Sequence, residues 1–272
     1  MSVKVDPSGR RSVAAEIDVP GTPEEVWKAI ASGPGISSWF VPTTVEGRVG
    51  GTTVSHFAPD GSMDSVAQIS EWQPPHRFEA KTEEGPGTVA TEWIVEARAG
   101  GVCTVRVVHS WFADGDDWDS QFEGHAHGWD SFFKLLRYYL EHFPGQESRL
   151  VTLAGQSSES VVDTFEGLMT PLGIEDGNVG GPVTPSPDAP PLAGEVLEAM
   201  ASPYGFSVIL RLDDPAPALA HWIGLPMGGP VHVSGRFYLY GPAGVAKERE
   251  VETAWGEWLS DRLAAQTAGA EA

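Results

Sequence analysis

The chain has 272 residues, with 17 basic and 38 acidic side chains and a formal net charge of −21. The negative charge disfavours binding to nucleic acid or to anionic membrane surfaces, because phosphate groups repel an acidic protein. The single cysteine, Cys103, excludes an intramolecular disulfide and a cysteine metal cluster. The N-terminus lacks an apolar stretch, and no apolar run reaches roughly 18 residues. We therefore expect a cytoplasmic protein without a signal peptide, membrane insertion or cofactor.

In chain order, the first half predicts an antiparallel sheet. Ser12–Val19 partly alternates as a strand, and Thr22 then begins a short helix with proline and two glutamates in its first turn. About six strands separated by glycine- and proline-rich turns follow, including a candidate hairpin at Arg48–Phe57. The clearest alternation lies in Thr88–Ala97 and Val102–Phe112. Consecutive strands with short turns are expected to pair antiparallel.

A long helix is predicted at Trp118–Phe143. Its large apolar residues are mostly three, four or seven positions apart, so they lie on one side of a 3.6-residue helix. Pro144 and Gly145 end it, since proline cannot continue the hydrogen-bond ladder and glycine favours helix termination. We expect this helix to lie on the sheet, which gives an α+β fold.

The second half repeats the same order of elements more weakly. Ser158–Met169 corresponds to the first short helix, Val231–Tyr240 alternates like Val102–Phe112, and Lys247–Leu263 is again a terminal helix. Two domains, 1–147 and 148–272, are therefore predicted, the second being a degenerate copy. The alternative is an unrelated α+β extension. The proline-rich segment 180–191 predicts that the second copy lacks part of the strand region.

Several motifs resemble a known family. They are V-x-G-T-P-E-E-V-W-K-A-I at 19–30, W-x-P-P-x-R-F at 72–78, H-S-W-F at 109–112 and G-W-D-S-F-F-K-L-L at 128–136. In these motifs the first half resembles the START-like (SRPBCC, helix-grip) superfamily, in the branch of the activator of the heat-shock-protein-90 ATPase. The resemblance implies a curved antiparallel sheet wrapped around a long C-terminal helix, with a cavity between them, and here two such domains in tandem.

The implied cavity is a candidate site for a hydrophobic small molecule, because such pockets are mostly apolar with a few polar groups. The candidate lining residues come from the strands, the long helix and the predicted mouth: Trp93, Val107, His109 and Trp111; Phe122, His125, Trp129 and Phe133; Trp39, Phe40, His56 and Met63. The alternative is that these aromatic residues form an ordinary filled core.

Other chemistry is less favoured by the sequence. His125 and His127 invite a metal site, but residues two apart on a helix point about 200° away from each other, so no metal is expected. His109 could serve as a general base or donor, or be a hydrogen-bonded core histidine. Cys103 could be a nucleophile only if its pKa were lowered, and a buried thiol is the alternative.

Three functions remain open. The first is non-enzymatic binding of an apolar or aromatic small molecule. The second is a polyketide aromatase/cyclase, a class in which tandem helix-grip domains occur, with His109 or His125 transferring protons. The third is a chaperone-regulating module that acts by surface contact. The lining expected from the sequence is mostly aromatic and favours the first, so no catalytic residue is assigned.

Overall fold

The computed structural model describes residues 3–58, 60–84, 87–112, 119–226 and 228–270, and the side chains of all of these except 84, 119–128 and 266–270. The chain divides into two compact units, Met1–Glu147 and Ser148–Ala272. That each unit folds as an independent domain stays a prediction.

In its described part, the first unit contains an eight-stranded antiparallel sheet. The strands are β1 (Lys4–Val5), β2 (Arg10–Pro20), β3 (Thr43–Val45), β4 (Thr52–His56), β5 (Asp64–Gln73), β6 (Arg77–Glu84), β7 (Gly87–Arg98) and β8 (Val102–Phe112). Their spatial order is β1-β2-β8-β7-β6-β5-β4-β3, so the second strand closes against the last one. The hairpin expected at Arg48–Phe57 is wrong in its bounds, because β3 and β4 pair around the turn 46–51 instead.

Three helices accompany this sheet: α1 (Pro23–Ala31), α2 (Gly33–Ser37) and α3 (Asp119–His142). The start of α1 follows from its sequence. The Glu25 amide donates to Thr22 Oγ1 at 3.3 Å, and the Thr22 amide donates to Glu25 Oε2 at 2.8 Å. This reciprocal capping box satisfies two amides that otherwise lack helical partners.

The long helix covers only one side of the sheet. α3 packs against β2, and its buried residues Phe133, Leu136 and Tyr139 face the core. Trp129 and Phe133 of α3 also contact Trp93 of β7, with ring centroids 5.1 and 6.1 Å apart. The predicted class, an α+β fold with an antiparallel sheet and a long C-terminal helix, is confirmed.

The second unit contains a smaller sheet and its own terminal helix. Its elements are β9 (Ser148–Ser157), α4 (Val161–Met169), β10 (Ala193–Ser202), β11 (Gly205–Asp214), β12 (Ala218–Pro226), β13 (Val231–Tyr240) and α5 (Gly241–Ala270), with a 3-10 turn at Thr170–Leu172. The spatial order β9-β13-β12-β11-β10 has the same connectivity as β2-β8-β7-β6-β5. The segment 180–191 forms no named strand; it has an isolated β-bridge from Pro182 to Glu195 and backbone hydrogen bonds to β10, such as Val183 N–H to the Gly194 carbonyl at 3.0 Å.

Among the described residues, no helix is long and apolar enough to cross a membrane.

Candidate functional site

A cavity of about 480 Å³ lies between the concave face of the first sheet and the helices of the first unit. This volume is within the range of small-molecule pockets, roughly 300–1,000 Å³. The lining residues are aromatic (Phe40, Phe57, Phe78, Trp93, Trp129 and Phe132), aliphatic (Ile30, Ile36, Val45, Ala67, Ala80 and Val89) and polar (Thr43, Thr53, Ser55, Ser65, Thr82, Thr91 and His109).

One wall of the cavity is a cluster of aromatic rings. Phe40 stacks on Trp129, with centroids 5.1 Å apart and planes 20° apart, and meets Phe132 edge-on at 4.5 Å. Trp93 of β7 meets Trp129 edge-on at 5.1 Å. Offset-stacked and edge-to-face contacts of this kind stabilise aromatic clusters beyond their buried area. A flat apolar ligand therefore finds a preformed aromatic wall.

A second group of lining residues carries hydroxyl groups, and we call this group the hydroxyl side: Thr43, Thr53, Ser55, Ser65, Thr82 and Thr91. Residues two apart on a strand share a face, so Thr53 and Ser55 point the same way from β4. Ser55 lies across from Thr43 on β3 and from Ser65 on β5. Ser55 Oγ and Thr43 Oγ1 are 3.1 Å apart, within hydrogen-bond distance.

His109 joins the aromatic wall to the hydroxyl side. Trp129 Nε1 donates a hydrogen bond to His109 Nε2 at 2.8 Å, and His109 Nδ1 lies 2.9 Å from Thr91 Oγ1. Because an indole N–H can only donate, His109 Nε2 must accept and the proton of the neutral ring must be on Nδ1. His109 is thus a hydrogen-bonded wall residue, and Trp129 occupies the nitrogen that a general base would use.

The described lining contains no Asp, Glu, Lys or Arg side chain. Burying a charged ligand there would leave its charge without a partner, which is costly in an apolar site. No group of three or more metal-ligating side chains occurs in the part of the chain whose side chains are described. Cys103 does not line the cavity: it is fully buried, donates to the Gly21 carbonyl at 3.4 Å, and has its pKa raised by burial.

Four of the twelve predicted site residues line the cavity: Phe40, Trp93, His109 and Trp129. Two others, Phe122 and His125, have side chains outside the described residues. Their helix, α3, is present as expected. The assignment of any of these residues to ligand binding stays a prediction.

Four predicted residues are buried but do not line the cavity. Trp39 was expected at the mouth, yet it is completely buried and its Nε1 donates to the Ala29 carbonyl at 3.0 Å, which fixes the ring in the core. Trp111 packs with Val13 at the far end of β8. Val107 is fully buried on β8, and Phe133 is buried behind Trp129, with ring centroids 5.6 Å apart.

The last two predicted residues lie on the surface. Met63 is 63% exposed, in the turn before β5. His56, at the end of β4, is hydrogen-bonded to Asp64, with His56 Nδ1 2.8 Å from Asp64 Oδ1. Neither residue lines the cavity. His56 alternates with Ser55 and Phe57, which do line it, so the His56 side chain points away from the cavity.

Sequence reasoning missed the hydroxyl side. Thr53 and Thr52 are both polar, so β4 shows no alternation that would mark its inner face. Thr91 offered a usable signal, because it lies two residues from Trp93 on the same face of β7. A threonine beside a buried tryptophan in an otherwise apolar row indicates a polar group directed inward.

The second unit fills the equivalent space. Thr91 lies across from Ala80 and His109, whereas Ala220 at the corresponding place in β12 lies across from Leu210 and Phe237. Leu210, Ala220 and Phe237 are all completely buried.

The rings of the second core then close together. Phe237 contacts Trp255 at 5.2 Å, and Trp255 contacts Trp258 at 5.2 Å. The same strand connectivity therefore holds a cavity in one unit and a filled core in the other.

Comparison with known proteins agrees with this geometry for the first unit. Residues 10–141 match the model of the polyketide cyclase / dehydrase and lipid transport family. The matched segment spans most of the first unit, and the resemblance to the START-like superfamily is confirmed. Among the curated proteins, none matches the chain.

Solved structures with similar folds include DynU16, a protein of the dynemicin biosynthetic locus, at 15% identity and a TM-score of 0.42, covering 94% of this chain and 98% of that one. The di-domain ARO/CYC protein BexL from the BE-7585A biosynthetic pathway has 15% identity and a TM-score of 0.43, covering 93% and 98%. The Aha1 dimer from Colwellia psychrerythraea has 18% identity and a TM-score of 0.41, covering 48% and 96%.

Proposed function

We propose that the first unit binds an uncharged, largely aromatic small molecule in its cavity. The observation that supports this most directly is the lining, which combines a cluster of aromatic rings with six hydroxyl groups and has no charged side chain among the described lining residues. A filled core needs no such space, as the second unit demonstrates with Leu210 and Phe237.

The expected affinity is modest. A two-ring aromatic ligand buries roughly 250 Å² of apolar surface, which contributes about 6 kcal/mol at 25 cal/mol/Å². A free energy of that size corresponds to a dissociation constant of tens of micromolar. Hydrogen bonds to the hydroxyl side would add to it, and the entropy lost on binding would reduce it.

A neutral fluorescent ligand, N-phenyl-1-naphthylamine, tests the proposal. We expect saturable binding with enhanced emission, and at least a fivefold change in affinity in Trp129→Ala, because this substitution removes one wall. Trp27→Ala is the matched control, since Trp27 is half-buried on α1, packs on Trp72 and on the outer side of the lining residue Phe78, and does not itself line the cavity. Unchanged affinity in a folded Trp129→Ala variant, or equal losses in both variants, would count against the cavity.

A second candidate is a polyketide aromatase/cyclase. It is favoured by the matching family and by the hydroxyl side, which makes the cavity more polar than the sequence predicted. In an aldol cyclisation, an enolised methylene carbon bonds to a ketone carbon of the same chain, and water is then lost. Hydroxyl groups can hold the ketones, but the two ring nitrogens of the lining residue His109 are engaged by Trp129 and Thr91.

The cyclase candidate has its own assay. A short poly-β-ketone thioester is incubated with the protein, and its conversion to a product lighter by one water is followed by mass spectrometry. Conversion no faster than in buffer, at a protein concentration that saturates with the thioester, leaves binding as the function. The chaperone-regulating alternative has no observation in its favour among the described residues, and a chaperone partner stays a prediction.

A further inference from the structure

The three residues Thr91, His109 and Trp129 form a hydrogen-bonded chain that runs in one direction only. It starts at the Trp129 indole N–H, which can donate but not accept. His109 accepts at Nε2 and, being neutral, has its single proton on Nδ1. That proton is donated to Thr91 Oγ1, 2.9 Å away. Thr91 is thereby the acceptor of this chain, and its own hydroxyl proton is directed elsewhere.

We infer that Thr91 presents its hydroxyl proton to the cavity and selects ligands with a hydrogen-bond acceptor, such as a ketone oxygen, at that position. The inference rests on the proposed function and specifies the chemistry of the ligand. Thr91 lines the cavity, and its hydroxyl has no other hydrogen-bond partner among the described residues. Its backbone is already paired in the sheet with Ala80 and His109, so the side chain alone is available to a ligand.

The fold does not require this polar chain. At the same register of the second sheet, Ala220 replaces Thr91 and Phe237 replaces His109, and both are completely buried. Trp255 contacts Phe237 by ring packing at 5.2 Å, in place of a hydrogen bond. The apolar residues of the second unit therefore pack stably in the same arrangement, so folding does not require the Thr91 hydroxyl. We attribute that hydroxyl donor to ligand recognition.

The chain also positions the donor. A threonine hydroxyl can rotate about its C–O bond, but one lone pair of Thr91 is held by His109 Nδ1–H, which restricts where the remaining proton points. Trp129 in turn holds the His109 ring in one tautomer. His109 and Trp129 are thus positioning residues, and Thr91 is the group that contacts the ligand.

The test uses two ligands of nearly equal size: 9-fluorenone, which has a ketone acceptor, and fluorene, which has a methylene group instead. Binding is measured by quenching of tryptophan emission in the full chain. One hydrogen bond to an otherwise unpaired buried donor is expected to favour fluorenone by about 5- to 10-fold. Thr91→Val should abolish that preference while leaving fluorene affinity within twofold, and Thr91→Ser should retain it.

An infrared measurement gives a readout that does not depend on affinity. The ketone stretch of bound fluorenone should lie at lower frequency in the wild type and in Thr91→Ser than in Thr91→Val, because hydrogen bonding weakens the C=O bond. If Thr91→Val fails to fold, Thr91→Ala removes the same hydroxyl with a smaller side chain and is held to the same two results.

The outcomes separate the two proposals. If neither ligand binds the wild type, the proposed cavity function fails. If both bind equally, or if Thr91→Val keeps the fluorenone preference, the cavity function stands and the inference about Thr91 is overturned.

Discussion

The substitution Ala80→Leu is expected to fill the cavity, because the second unit has a leucine at the corresponding position. Ala80 of β6 lies across from Thr91 and lines the cavity, and the corresponding residue in β11 is the buried Leu210. Ala80→Leu places three more carbon atoms in existing space. At about 0.8 kcal/mol for each buried carbon, less up to about 1 kcal/mol of lost rotamer freedom, we expect a gain of roughly 1.5–2.5 kcal/mol in the free energy of unfolding.

The matched control is Ala15→Leu. Ala15 is 2% exposed on β2, beneath α3, and it does not line the cavity. The same three carbon atoms there find no space, so the substitution should cost about 1–3 kcal/mol through overpacking. Urea unfolding gives both free energies, and titration with N-phenyl-1-naphthylamine gives the affinities.

The same alanine-to-leucine change is therefore expected to alter the free energy of unfolding in opposite directions at the two positions. Ala80→Leu should raise the free energy of unfolding and weaken dye binding at least tenfold, whereas a folded Ala15→Leu variant should be less stable and bind the dye normally. If Ala80→Leu destabilises as much as Ala15→Leu, or if it binds the dye with wild-type affinity, then the space beside Ala80 is not the binding cavity.

Three further predictions concern stability and reactivity. A chain ending at Glu147 should unfold cooperatively by itself, and a broad, non-cooperative thermal transition with dye binding typical of a molten globule would disprove the independence of the first domain. Cys103 should react with Ellman's reagent only at the rate of unfolding, because the thiol is buried and its pKa is raised; fast labelling in native buffer would contradict this. Burial raises the pKa of Tyr238 from 10.0 to about 12, so the native state retains the phenol proton that the unfolded chain releases above pH 10. The free energy of unfolding should therefore fall by about 2 kcal/mol as pH rises from 10 to 12, and urea titrations should show this fall diminished in Tyr238→Phe; an identical fall in both proteins would refute the assignment.

Local signals predicted the elements well. The proline and glutamates after Thr22 identified the start of α1, and the spacing of Phe133, Leu136 and Leu140 identified the buried face of α3. The weak correspondence between halves anticipated that a strand, β13, followed by a terminal helix, α5, would recur as β8 is followed by α3. These features depend on residues close in sequence or on a regular period.

The cavity was less accessible to prediction, because its walls combine residues from distant elements. Aromatic residues alone did not distinguish a wall from a core: Trp93 lines the space, whereas Trp39 is fixed behind it by a hydrogen bond to the Ala29 carbonyl. The hydroxyl side was missed because a serine such as Ser55 in a strand sequence does not reveal whether its side chain faces solvent or an internal cavity. Only the pairing register of β3, β4 and β5 brings these hydroxyls together.

The two units should tolerate mutation differently, because the first unit has a cavity where the second has closely packed side chains. Around Leu212 of β11, which is completely buried, any apolar residue of similar volume should preserve the fold. Thr82, which lines the cavity of the first unit on β6, presents the reverse case. Thr82→Val keeps the volume and the strand and changes only the chemistry offered to a ligand. In a systematic mutational scan, selection for folding would constrain the second unit by size, whereas selection for binding would constrain the hydroxyl side of the first unit by polarity.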